Sequence, residues 1–454
     1  MRSKQKKIYV RRGFNLNLQG EANKILINLP KSKTFAIKPP DFFTINPKLL
    51  VKEGSLVKIG SPLFFSKINP RISFSSPVSG KVTKINRGSK RKILEIIINA
   101  DNKESYLEFQ TYNHESIEDK EIIELLLKSG SWPFIKQRPY GIIASPEDSP
   151  KSIFISTFST SPLAVDYDFI LKNNKNDFQI GIDILNRLTN GSVYLAIDDS
   201  FNGFFNDIRN VEKVFVNGPH PAGNTSIHIH NVDPINISEK VWTINPEDVV
   251  NIGIFFKTGK FSPKRTIALA GSSVKKPQYY KTIIGSSISN LLDHSEVNYK
   301  NNNRYISGDI LSGTTVGPDN YLSYYNNSLI IIPEGNKYRF MGWLPFVNNY
   351  IPSMYKTSLS WLFMRKKFIV NTNLNGEERA FVVTGEMEKV FPMDIFPMQL
   401  IKACLYKDVE RMEDLGIYEV IPEDFGLIDY GSTSKIEAQK IIREGIELMI
   451  KEVG

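Results

Sequence analysis

A single cysteine, Cys404, stands in 454 residues. That scarcity excludes an intramolecular disulfide framework and any self-contained thiolate-ligated cluster, and it fits a reducing cytoplasm. Its setting, Leu400-Ile401-Lys402-Ala403-Cys404-Leu405, is an apolar helical run, where a free thiol reads as buried structure rather than as a nucleophile. Long hydrophobic runs are missing too. No stretch reaches the roughly 18 to 20 apolar residues that span a bilayer, and no apolar h-region follows the basic start before Asn15 and Asn17. A soluble, non-secreted chain is expected, held at any membrane by a partner or by the lipid surface. Also absent are G-x-G-x-x-G, a P-loop, H-E-x-x-H and G-x-S-x-G, so nothing supports an autonomous hydrolase or a nucleotide enzyme. The pair Asp198-Asp199, on a loop after a strand, reads as a cap rather than a catalytic dyad.

What is present is ordinary globular material: 41% apolar and 23% charged residues, enough for sizeable cores in two to four modules. The net charge is +9, with a basic cluster at Arg2, Lys4, Lys6, Lys7, Arg11 and Arg12. Such a patch meets acidic lipid, an acidic partner or only solvent. Nucleic acid is disfavoured, because zinc-finger spacing, basic-zipper heptads and RNA-recognition signatures are all lacking.

Four regions divide the chain. Residues 1–105 are rich in Gly, Pro and β-branched residues in short runs. Val51, Gly54, Val57, Gly60 and Leu63 recur every three residues, and Phe74 to Val82 leads into a strand at Ile93 to Ile98. This combination predicts a barrel-sandwich module like biotinyl and lipoyl domains. Lys67, in Ser66-Lys67-Ile68-Asn69-Pro70, sits where carriers place their modified lysine, but its neighbour is Ser66 instead of an acid, which favours a structural use of the fold. Residues 106–255 mix a helix at Ser116 to Leu127 with strands at Ser152 to Thr157, Ser192 to Ile197 and Val211 to Asn217, and a helix at Gly181 to Leu188, predicting a Rossmann-like α/β domain without a nucleotide loop. In Ser129-Gly130-Ser131-Trp132-Pro133-Phe134-Ile135-Lys136-Gln137-Arg138-Pro139, bulky Trp132 and Phe134 would obstruct backbone approach to a phosphate. Residues 256–345 carry strands at Arg265 to Ala270, Lys281 to Ile284 and Leu329 to Pro333, an asparagine-rich loop at Asn298 to Asn303, and the punctuation of a small β-grasp, SLBB-like module. Residues 346–454 turn helical after Phe391, and Ser434-Lys435-Ile436-Glu437 reads as a capping box before an amphipathic helix.

Two segments suggest contact chemistry. In Ser226-Ile227-His228-Ile229-His230 the alternation predicts a strand with both imidazoles on one face. That is half a metal site at most; the absent third ligand favours hydrogen bonding or a partner contact. The stiff, adaptable strip Phe391-Pro392-Met393-Asp394-Ile395-Phe396-Pro397-Met398 suits a quinone ring, an isoprenoid tail or a membrane partner, and equally a core-packed helix entry with Pro397 in the first turn.

Three longer signatures carry a resemblance. They are Gly218-Pro219-His220-Pro221-Ala222-Gly223-Asn224 with His228-Ile229-His230 and Asp233-Pro234, then Arg304 to Gly313, then Gly385 to Leu400. In order and spacing the chain resembles the A subunit of the sodium-translocating NADH:quinone reductase over nearly its whole length. More distantly it is similar to the flavoprotein subunit of complex I and the C subunit of the Rnf complex. The resemblance implies a peripheral component of a six-subunit complex on the cytoplasmic face of the bacterial inner membrane. It would support quinone reduction coupled to Na+ export while docked on the membrane-embedded B subunit, with no complete active site of its own. FMN, FAD, riboflavin and the iron–sulfur centre would belong to other subunits, and quinone is the ligand this chain would meet. Phe391, Met393, Asp394 and Phe396, with His228 and His230 behind them, are the expected quinone or partner contacts; no catalytic, cofactor-binding or metal-ligating residue is assigned. Relative to the flavin-binding relatives, Trp132-Pro133-Phe134 stands at the glycine loop, and Ser159-Thr160-Ser161-Pro162 replaces an acidic motif. Where the family often has a Cys-Pro-Gly stretch, this chain reads Ile428 to Ser434. Other readings are a lipoyl-like binding module and a flavin- or NADH-binding electron-transfer subunit.

Overall fold

A computed structural model describes residues 6–111, 117–298, 302–335, 340–341, 351–356, 359–363 and 365–453. Arg2 and Lys4 of the basic start, Ser116 at the head of the first predicted helix, and residues 299–301 of the asparagine-rich loop lie outside them.

Short β-branched runs with tight turns give two small antiparallel sheets that share one core. One orders Thr34–Ile37, Ile93–Ala100, Gly80–Arg87 and Leu56–Val57; the other orders Pro47–Leu49, Pro62–Ser66 and Ser73–Ser75. Phe35, Phe64, Phe74, Val82, Ile96 and Ile98 are buried between them, with Phe64 and Phe74 stacked at 4.5 Å. This is the expected barrel sandwich. Lys67 is exposed in the turn after Pro62–Ser66. That turn is tied down: Asn69 Nδ2 and Arg71 both donate to Glu147, and Arg71 also reaches Glu124.

The α/β domain centres on a seven-stranded sheet ordered Lys6–Tyr9, Glu212–Asn217, Ser192–Asp198, Ser152–Ser156, Val241–Thr243, Lys136–Arg138 and Ile142–Ile143. The first five run parallel; Lys136–Arg138 runs against them, and Ile142–Ile143, antiparallel to it, turns back to their direction. The first helix covers Asp119–Ser129, slightly later than its hydrophobic pattern suggests. Helices Lys175–Asn186 and Pro246–Thr258 cross in close contact because Gly181 and Gly253 have no side chains. A Cβ at Gly181 would fall 2.2 Å from Val249 O, and one at Gly253 would fall 1.8 Å from Asp177 O.

The third module is a six-stranded sheet ordered Thr314–Val316, Asn303–Ser307, Ser328–Pro333, Lys264–Ala270, Gln278–Ile283 and Asn23–Asn28. The two earliest strands therefore pair outside the barrel sandwich: Lys6–Tyr9 extends the α/β sheet and Asn23–Asn28 extends this one. The C-terminal region is helical at Pro397–Tyr406, Val409–Asp414, Gly426–Gly431 and Ala438–Glu452. The predicted capping box at Ser434 does not form. Ser434 Oγ donates to Ala380 O, and the first N–H groups of the last helix, on Ala438 and Gln439, donate to the Asp429 carboxylate. A charged acceptor at the positive end of the helix wins over a hydroxyl.

Candidate functional site

The histidine segment departs from expectation. Thr225–Val232 is an α-helix, not a strand, so two residues of separation turn the imidazoles to different sides. Its entry is fixed by the rigid Pro219-His220-Pro221 turn, where His220–Pro221 is cis. At Gly223 a Cβ would lie 2.7 Å from Thr160 N, so the turn and the loop after Ser152–Ser156 approach backbone to backbone.

His228 faces inward, fully buried, with Nε2–H donating to Ala222 O at 2.8 Å and its ring stacked near Phe158. Burial pulls it down to about 4, with the Ala222 carbonyl pulling the other way, so the ring is neutral at physiological pH. His220 is also held below its ordinary range, by burial against the opposing Asp309 charge. His230 faces the C-terminal region. Asp394 N–H donates to His230 Nε2 at 3.0 Å, which leaves the proton on Nδ1, and Nδ1–H donates to Glu419 Oε2 at 2.6 Å. Both nitrogens of His230 are thereby engaged, and the one accessible metal-ligating geometry anticipated for the pair is lost.

The strip at 391–398 divides in the same manner. Phe391, Met393 and Met398 are buried, Phe391 against Phe425 at 5.0 Å, while Asp394 and Phe396 face outward, Phe396 with 62% of its surface exposed. Pro397 opens the helix Pro397–Tyr406, as its fixed φ allows. The structure therefore brings His230 and Asp394 together, seats Phe391 and Met393 beneath them, and places His228 on the far side of its helix. Cys404 lies buried in Pro397–Tyr406, and burial pushes its thiol up to about 12.

Besides Phe396, the C-terminal region exposes the apolar side chains of Trp361, Leu362, Phe363, Val382 and Val383. Among the described residues no helix is long and apolar enough to cross a membrane.

Two openings lie at the carboxyl edge of the α/β sheet, divided by the loop Phe158 to Ser161. One is a groove of about 560 Å³ between that loop and the segment Asn15 to Leu18. The other is a cleft of about 330 Å³ facing Lys136 and Arg138. None of the six residues expected from sequence lines either opening. Sequence reasoning passed over the two cations because they follow the bulky Trp132-Pro133-Phe134; their spacing of two on a short strand is the signal that places them on one face. Trp132, Pro133 and Phe134 are themselves buried, Trp132 donating to Ala144 O at 2.7 Å and lying edge-on to Trp242, Phe134 stacked on Phe261. Asp198 caps Ser200, as a lone carboxylate after a strand does, and Asp199 pairs with Lys7.

Comparison with known proteins agrees with this architecture. Three family models match in sequence order: an NqrA N-terminal barrel-sandwich hybrid domain over residues 8–101, an NqrA second alpha/beta domain over 117–261, and an NQRA C-terminal SLBB domain over 266–317. The A subunit of the Na(+)-translocating NADH-quinone reductase of Neisseria meningitidis serogroup B is 33% identical over 98% of this chain and 100% of its own length. That of a Marinomonas species is 34% identical over 98% and 99%, and that of Rhodopirellula baltica 33% over 98% and 98%. Among solved structures, an NAD+-reducing [NiFe]-hydrogenase aligns at a TM-score of 0.40 and 9% identity, over 74% of this chain and 61% of that one, too distant to bear on function. With three modules in the same order and one-third identity from end to end, this chain belongs to the family of A subunits of the Na(+)-translocating NADH-quinone reductases.

Proposed function

We propose that the chain is a peripheral subunit of a sodium-pumping NADH:quinone reductase, seated on the cytoplasmic face of the membrane at the quinone-reducing end. The observation that carries this reading is kinship along 98% of the chain with relatives named for that complex. Exposed apolar side chains beyond Phe340 supply a surface suited to a membrane-embedded subunit, the B subunit of the resemblance, and to the lipid beside it. Asp394 and Phe396 form the outward contact with quinone or with that subunit. Phe391 and Met393 support them from the core, His230 fixes the Asp394 backbone, and His228 braces the helix that carries His230.

The redox groups belong to neighbouring subunits. Buried rings at Trp132 and Phe134 occupy the turn where a flavin phosphate would need open backbone, and Cys404 alone cannot ligate a cluster. This chain's own contribution is positional. It orders one face of the quinone path and keeps water from it, while NADH oxidation, electron transfer and Na+ movement occur elsewhere.

The test is purification of tagged protein from solubilised membranes, followed by assay of the eluate for sodium-stimulated NADH:quinone reductase activity. Recovery of an active, flavin-containing complex is expected, and a partnerless monomer would overturn the reading. Phe396→Ala then sorts the contact. Because that ring is mostly exposed, its loss should leave the fold intact. Reduced quinone turnover in an assembled complex marks a quinone contact, and failed assembly marks a subunit contact. No change in either removes Phe396 from the assignment.

A further inference from the structure

The strand order of the seven-stranded sheet reverses at Ser152–Ser156. The chain leaves that strand for Ser192–Asp198 on one side, and Val241–Thr243 later joins on the other. Loops leaving the carboxyl ends diverge at such a point and open a crevice. The 330 Å³ cleft lies there, bounded by Ser156, Phe158, Thr243 and Asn245. Lys136 and Arg138, on the adjacent antiparallel strand, share one face and both line it.

Asp424 and Glu423 act on Arg138, and Glu423 and Asp248 on Lys136, through space, but among the described residues no carboxylate stands at ion-pair distance from either cation. The Lys136 ammonium makes no hydrogen bond to any described residue and stands over the Tyr325 ring, 3.8 Å from the centroid. Arg138 is 6% exposed and spends one Nη1–H on Ser226 Oγ at 3.1 Å. Ser226 belongs to the first turn of Thr225–Val232, a helix no side chain caps; the amide of its N-cap, Asn224, is turned to Asp424 instead. The carboxylates bordering the cleft are each engaged. Asp424 accepts from Asn224 and from Ile421 N–H, Asp248 holds Arg265, Glu423 faces Arg443, and Asp309 accepts from Leu311 N–H. Burial draws both Lys136 and Arg138 below their ordinary ranges, partly offset by the acidic neighbours.

We propose that this cleft binds a small phosphate monoester, its dianionic head between Lys136, Arg138 and the open first turn of Thr225–Val232, and its body against Phe158 and Tyr325. Two fixed cations and a helix N-terminus match a dianion, where a monocarboxylate would leave one ammonium unpaired. The site needs no partner protein, so it stands or falls separately from the quinone reading.

Calorimetric titration of the full chain with phenyl phosphate, inorganic phosphate and benzyl alcohol tests it. Phenyl phosphate should bind saturably at one per chain and at least tenfold more tightly than either of the others. Lys136→Met should weaken it at least tenfold, while Lys48→Met, an exposed control, should not. Absent saturation, equal affinity for benzyl alcohol, or unchanged affinity in Lys136→Met would overturn the site. Should Lys136→Met not fold, acetylation footprinting of the unaltered protein decides. Phenyl phosphate should protect Lys136 at least fivefold and leave Lys48 unprotected, and equal labelling with and without ligand would overturn the proposal.

Discussion

Two ionic joints hold the modules together, and they are opposites. Between barrel sandwich and α/β domain, Arg71 bridges Glu124 and Glu147 with side chains about half exposed, 45%, 46% and 51%. Between α/β domain and β-grasp module, Arg265 meets Asp248 at 2.8 Å and Glu247 at 3.6 Å with both Arg265 and Asp248 at 1% exposure. In water the ions lose little by separating, so the first joint can adjust. In the dry joint three ionisable side chains are buried together, and Arg265 Nε and Nη1 and Asp248 Oδ2 find no hydrogen-bond partner. Such a cluster fixes geometry more than it adds stability, and removing one member is costly. A third joint, Glu419–His230–Asp394, lies between these extremes and ties the α/β domain to the C-terminal region.

The ranking can be broken by mutation. Arg265→Leu leaves two buried carboxylates without their cation and should cost about 3–5 kcal/mol in urea unfolding; a loss below about 1 kcal/mol would mean the joint is wetter than its burial implies. His230→Leu deprives Asp394 N–H of its acceptor and Glu419 of its donor. The expected loss is about 1–3 kcal/mol, with proteolysis of the C-terminal region accelerating before the rest unfolds. The dry joint should also respond to pH. Burial pushes Glu247 and Asp248 above the ordinary carboxylate range, against the pull of Arg265. Their protonated forms are favoured by folding, so the contribution is complete below the usual carboxylate pKa and declines as pH rises through the raised folded values. Glu247→Gln should therefore flatten the fall in stability that sets in as pH rises above the usual carboxylate range, and an identical slope would exclude Glu247 as its source. The smallest effect belongs to Arg71→Ala, about 0–1 kcal/mol and fading with added salt.

Much of this was legible in sequence. The strands Ser152–Ser156, Ser192–Asp198 and Lys264–Ala270 follow from β-branched runs between turns, and Pro397 marked a helix start. Alternating isoleucines around His228 misled because local period is weaker than the tertiary demand of a turn packed against Thr160. The box at Ser434 misled because its competitor, Asp429, comes from another helix. The six contact candidates were chosen for residue type, and residue type alone did not separate Phe391, which packs inward, from Phe396, which does not. The cleft stayed hidden because its cations become neighbours of Ser226 and Tyr325 only across the sheet.

The placement of Lys6–Tyr9 at the edge of the α/β sheet bears on how the protein is made. That strand pairs with Glu212–Asn217, which leaves the ribosome more than two hundred residues later; at about 5–20 residues per second the wait is roughly 10 to 40 seconds. Asn23–Asn28 waits longer for Gln278–Ile283, with Ile25 and Ile27 bare. The barrel sandwich, whose strands follow both in the chain, can close meanwhile, so the nascent chain carries a finished module preceded by two unclaimed strands. A chaperone acting on this protein would find its substrate there.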